Sequence, residues 1–145
     1  MSEENLELVK GIFSAYEGLD FVAFMRDTDP ADLRAVYEAV YDPDIEIVWR
    51  DTSANSGPFH GIDEAMRGLE EWLGSFEEFS WTLTEFLDAG DEVVITAITR
   101  GRGKDSGAQV ATTVYWVIAV KDGKIARQRE YSTKAGALEA AGLEE

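Results

Sequence analysis

The chain has 145 residues, 45% of them hydrophobic, no cysteine, and a formal net charge of −16 at pH 7. Length and hydrophobic content suit a single domain over residues 1–145 with a core of its own. The acidic field argues against nucleic acid and anionic membrane partners, and the missing thiols exclude disulfides, thiolate nucleophiles and Cys-based zinc sites.

The longest apolar run, VYWVIAV (114–120), is far too short to span a bilayer. MSEENLELVK at the start lacks the basic and apolar regions of a signal peptide, so the expected location is cytoplasmic.

SEENLELVKGIFSAYE (2–17) carries acids in its first turn, then Leu6, Val9, Phe13 and Tyr16 at spacings of three and four. This predicts an amphipathic helix. GLDFVAFMRDT (18–28) reads equally as a short helix or a packed loop. DPADLRAVYEAVY (29–41) is a helix: Asp29 caps it, Pro30 stands where a missing N–H costs nothing, and Leu33, Val36, Tyr37, Val40 and Tyr41 form its stripe. DPD (42–44) stops it. IEIVWRD (45–51) alternates as a strand, and TSANSGPFHG is a loop. IDEAMRGLEEWLG (62–74) is a third helix with Ile62, Ala65, Met66, Leu69, Trp72 and Leu73 inward and Gly74 at its end.

Four β-rich runs follow: FSWTLTEFLD (79–88), EVVITAITRGRG (92–103), AQVATTVYWVIAV (108–120) and KIARQREYS (124–132). Short turns between them mean antiparallel neighbours. GRGKDSG has a strand after it rather than a helix, so it is a hairpin turn and not a phosphate loop. TKAGALEAAG closes the chain as a short helix. Helices first and a meander last make an α+β domain.

AVYDPDIEIVW, GPFHGIDEAMRGLEEW and VKDGKIARQREYSTKAGALEAAGL carry a resemblance that covers nearly the whole chain. They resemble the SnoaL-like, ketosteroid isomerase-like branch of the nuclear transport factor 2-like superfamily. The resemblance implies a strongly curved, mostly antiparallel sheet wrapped round helices, a cone with a pocket at its open end, and a homodimer through the convex sheet face. Relatives include isomerases, cyclases and hydrolases that need no cofactor, and also non-catalytic binders, so fold alone does not choose among them. The position of the isomerase-type base falls on Trp49, which makes Trp49 a pocket wall; the nearby Asp51 does not occupy it.

Strand 124–132 has polar groups on both faces, as expected if one face lines a pocket and the other the convex surface. Gln128 and Glu130 are assigned to the pocket; Arg127, Arg129 and Tyr131, with Ile125, to the other face. Glu130 falls where some relatives carry an acid, and a carboxyl among apolar walls suits general acid or base catalysis. The plain alternative is a surface Glu130 paired with an arginine. His60, the only histidine, is a second candidate for proton transfer, against an exposed loop residue. No ligand spacing supports a metal site. Tyr16, Phe59, Trp72 and Trp116 are candidate walls for a flat ligand, or simply core.

Two functions stand on these residues. One is binding, with or without acid–base chemistry at Glu130 and His60, of a small, largely apolar molecule. The other is a non-catalytic dimeric carrier or interaction module. The second face of AQVATTVYWVIAV (Ala111, Thr113, Tyr115, Val117, Ala119) is apolar enough to need a cover, which the homodimer would provide.

Overall fold

The computed structural model describes residues 2–49 and 58–143, apart from the side chains of Ser2 and Trp49. Asp51 therefore lies outside the described residues, as does the Trp49 side chain.

Three helices open the chain: α1 (Ser2–Ala15), α2 (Phe21–Asp27) and α3 (Pro30–Val40). The ambiguous stretch after α1 is thus a helix. Its cap is Asp20, whose carboxylate accepts from the Val22 and Ala23 amides and from Phe79 N across the fold. One side chain both starts α2 and pins it to the sheet. Asp29 caps α3 by accepting from Ala31 N, and Pro30 occupies the first turn.

Strand β1 runs Tyr41–Trp49, four residues earlier than the alternation of IEIVW suggests. DPD ends the helix and yet belongs to the strand. Between Tyr41 and Glu46 the pairing with the neighbouring strand is irregular, so Pro43 falls where no ladder N–H is required. The short strand β2 (Phe59–His60) leads into α4 (Gly61–Leu73). Then come β3 (Phe76–Asp88), β4 (Glu92–Gly103), β5 (Gln109–Lys121), β6 (Lys124–Tyr131) and α5 (Lys134–Ala140).

The sheet order is β2-β1-β6-β5-β4-β3, with β1 parallel to β6 and the other pairs antiparallel. Bulges help curve it, two of which bear on the site. One lies in β3, between Leu83 and Glu85. The other lies in β6, where Val120 pairs with Ile125 and Ala119 with Arg127, leaving Ala126 extra. The β6 bulge corrects one expectation. Strict alternation puts Ile125 with Arg127 and Arg129, but the extra residue reverses the parity, and Ile125 is fully buried on the concave side with Gln128 and Glu130.

The concave face holds the main core, where Val9, Phe13, Leu33, Ile45, Ile95 and Ile118 meet. A second cluster lies on the convex face. There α5 sets Ala137 against Val94 and Val117, both essentially inaccessible within one chain. Part of the apolar second face of β5 is therefore covered by the chain's own last helix. Ala111 and Thr113, nearer the strand's start, stay exposed.

Candidate functional site

The helices do not fill the cone. A cavity of about 410 Å³ remains between them and the concave sheet face. That volume lies within the usual range for small-molecule sites. Its floor is β5 and β6, where Trp116 faces Glu130 across the ladder and Val114 and Gln128 also line the cavity. Val110 and Thr112 line its mouth, with Val110 52% exposed.

Aromatic rings dominate the wall. Trp81 sits at their centre: its ring lies 4.4 Å from Phe21, 5.1 Å from Trp116 and 5.9 Å from Phe13, centroid to centroid. A second group forms at the other end, where Phe76 lies 5.1 Å from Trp72 and 5.2 Å from Phe79. This packing depends on Gly101, since a Cβ there would come within 2.7 Å of the Phe76 ring.

Among the described residues Glu130 is the one charged residue that lines the cavity, and it is 8% exposed. The Trp116 indole N–H donates to its Oε1 at 2.7 Å. That bond fixes the carboxyl against the aromatic floor. Gln128 stands two residues earlier on the same face of β6, and its Oε1 is buried with no hydrogen-bond partner among the described residues. The Tyr37 hydroxyl and Trp81 Nε1, also in the wall, are in the same condition. Burial first, and then the neighbouring Tyr41 and Glu70, push the Tyr37 phenol far above its usual range. Burial, helped by Tyr16, pushes the Tyr41 phenol up to about 12. Both remain neutral hydroxyls at physiological pH.

Of the residues singled out in the sequence, Tyr16, Trp72, Trp116, Gln128 and Glu130 meet at this cavity. His60 and Phe59 are not among its lining residues. The two-residue strand β2 explains both positions. Phe59 points inward and is buried beneath α4, where Gly68 leaves room for its ring. His60 points the other way, with its side chain 60% exposed and Nε2 2.9 Å from Glu46 Oε2. Glu130 and His60 do not converge. Sequence reading passed over Trp81 and Phe21. Trp81 was accessible through its alternation with Phe79 and Leu83, and Phe21 through the capping Asp20 before it.

Among the described residues no group of three or more His, Cys, Asp or Glu side chains is placed to hold a metal ion, and no helix is long and apolar enough to cross a membrane.

The model of the SnoaL-like domain matches residues 19–128, from the loop before α2 to the cavity floor. The chain belongs to the SnoaL-like domain family. Solved structures share the fold over almost its whole length. A SnoaL-like protein from Jannaschia, described as a putative polyketide cyclase, is 18% identical with a TM-score of 0.67, covering 99% of this chain and 94% of its own. A protein of ketosteroid isomerase-like fold from Catenulispora acidiphila, solved with trimethylamine, is 19% identical with a TM-score of 0.65, covering 95% and 94%. TerC, co-crystallised with polyporic acid, is 19% identical with a TM-score of 0.61, covering 86% and 94%. At these identities the likeness is one of fold. No curated protein matches the chain.

Proposed function

We propose that this SnoaL-like domain binds a small, largely apolar molecule in the cone, with Glu130 as the group placed to move a proton. The observation that carries this reading is the cavity of about 410 Å³, walled by aromatic rings and holding the buried Glu130 carboxyl at its floor. A buried acid to which the Trp116 indole N–H donates has the restricted geometry that proton transfer to a bound molecule needs. Structures of the same fold with trimethylamine and with polyporic acid support small-molecule binding as the use of such a cone. Isomerisation, cyclisation and hydrolysis are all open to one carboxyl and need no cofactor.

A specific observation favours a second reading, that of a non-catalytic carrier. His60, the chain's one histidine, is turned to solvent and does not join Glu130 at the cavity. Glu130→Gln separates the two. It keeps the shape and an oxygen acceptor for Trp116 while removing the titrating group. A thermal-shift screen of apolar metabolites finds the ligand first; at 100 times its Kd a ligand adds about 2.7 kcal/mol of stability. If the cone is catalytic, the variant binds the neutral ligand normally and turnover is lost. If it is a carrier, the wild-type protein leaves the ligand unchanged. Absence of any apolar ligand would remove both readings. We also propose that two copies pair through the part of the convex face that α5 leaves open.

A further inference from the structure

A second space lies behind the helical wall of the cone. A groove of about 390 Å³ follows the outer side of α1, lined there by Glu7, Leu8, Gly11 and Ala15. Gly11 and Ala15 are exposed, whereas Val9 and Phe13 on the opposite face of the helix are buried in the core. Ile12, Tyr16 and Val40 line the groove and the cavity alike, and all three are half-buried. They stand between the two spaces. The helices at this seam rest on different supports: α1 packs on β3 and β4, while α3 packs on α4, β1 and β6. Side chains therefore close the seam. Tyr16, the largest of them, meets Phe24 edge-on at 6.5 Å. Half-exposed side chains of this kind change rotamer quickly, so the seam can open without moving a helix.

Resting on the reading of the cone as a small-molecule site, we propose that its ligand carries an unbranched alkyl chain, which passes between α1 and α3 at Tyr16 and lies in the groove. The apolar head of the ligand fills the cone. Three side chains can part far enough for a methylene chain but not for a ring. From Leu8 to Tyr16 the groove follows about 12 Å of helix, at 1.5 Å per residue. Gly11 keeps it open, since a Cβ there would meet nothing within 4 Å. A chain in this position takes the half-buried Leu8, Ile12 and Val40 further out of water, which drives such binding. The seam also lies far from the mouth at Val110. Val40 adjoins Tyr41, which pairs with Ile125 opposite Val120, near the other end of β5. A tail in the groove and a tail leaving by the mouth are thus distinct arrangements.

The test titrates 4-ethylphenol and 4-octylphenol, both uncharged at pH 7, against the tryptophan fluorescence of the wild-type protein and of Gly11→Leu. Gly11 does not line the cavity, and leucine is the better helix former, so the substitution fills the groove and spares the cone. Each methylene taken out of water is worth about fourfold in affinity. The wild-type protein should bind the octyl probe at least tenfold tighter than the ethyl probe. Gly11→Leu should remove most of that ratio and leave the affinity for 4-ethylphenol unchanged. Ala15→Leu, also outside the cavity, should do the same, and it carries the test if Gly11→Leu does not fold. Equal binding of the two probes by the wild-type protein would overturn the proposal. So would a ratio that survives in the folded variants, which would put the tail in the cone or at Val110, and so would an equal loss of both probes. In each of these cases the cone still takes a ring and the parent reading stands. Failure of both phenols and of every other apolar ligand would remove the parent reading as well.

Discussion

Tyr37 carries a hydroxyl that is buried in the cavity wall without a hydrogen-bond partner among the described residues. Such a group retains its desolvation cost with no bond to offset it, so Tyr37→Phe should raise stability at pH 7 by about 1 kcal/mol. Its titration adds a pH signature. Tyr37 and Tyr41 are both held neutral by burial, with Tyr41 pushed up to about 12 against an unfolded value of 10.0. Between those values the unfolded chain has lost the proton that the folded chain keeps. Stability is thus fully present below about pH 10 and falls as pH rises toward 12, by up to about 1.4 kcal/mol per pH unit for each phenol. Urea denaturation at pH 9 and pH 11 should show a steep loss for the wild-type protein and a shallower one for Tyr37→Phe/Tyr41→Phe. Equal slopes would mean that these phenols are solvated. The same residue scale shows what alternation can and cannot reveal. Gln128 and Glu130 were legible as cavity residues because only the period of two was needed beyond the bulge. The inward Phe59 and outward His60 obey that period too, but a loop-like GPFHG gives no sign that a two-residue strand holds them.

Elements were legible where they are long enough to show a stripe. The helices α1, α3 and α4 and the four long strands follow directly from their periodicity. Helix α2 has seven residues, about two turns, and its apolar positions cannot be told from those of a packed loop. Strand β1 hides its start behind Pro43, and the β6 bulge at Ala126 moves Ile125 to the other face, because a bulge is a property of the pairing and not of either strand alone. The packing of α4 on β2 is a further case. Gly68 reads as a weak point in a helix, yet a Cβ there would lie 2.8 Å from the buried Phe59 ring. Gly68→Ala gains about 1 kcal/mol of helix propensity and loses about 1–3 kcal/mol to overpacking. The second effect should win, lowering stability by about 1 kcal/mol in chemical denaturation. In a Phe59→Leu background the smaller side chain can yield, and the same substitution should become neutral or stabilising. A stabilising Gly68→Ala in the wild-type protein would show that α4 does not rest on Phe59.

At the scale of the whole molecule the convex face remains. The expectation of a homodimer came from two apolar faces on β5, each needing cover. Helix α5 answers part of that need from within the chain by closing over Val94 and Val117. What stays open is the stretch where Ala111 and Thr113 of β5 are exposed and Ile98, the partner of Thr113 across the ladder, is half-buried. Ala111, Thr113 and Ile98 are uncharged side chains on a sheet face, suited to a second sheet rather than to water, although the exposed Arg100 stands across the ladder from Ala111 on the same face. Against pairing stands the charge: each chain brings −16, and two such fields repel. The contact buries apolar area that salt does not weaken, while the repulsion is screened within about 8 Å at 0.15 M salt. Association should therefore strengthen from low to moderate ionic strength, the opposite of a dimer built on ion pairs. Light scattering at micromolar concentration and about 0.15 M salt should give about twice 16.1 kDa. Thr113→Lys, on the open strip and away from the cavity, should return the mass to that of one chain without altering ligand binding. A wild-type protein that stays monomeric under these conditions would show that α5 alone is cover enough.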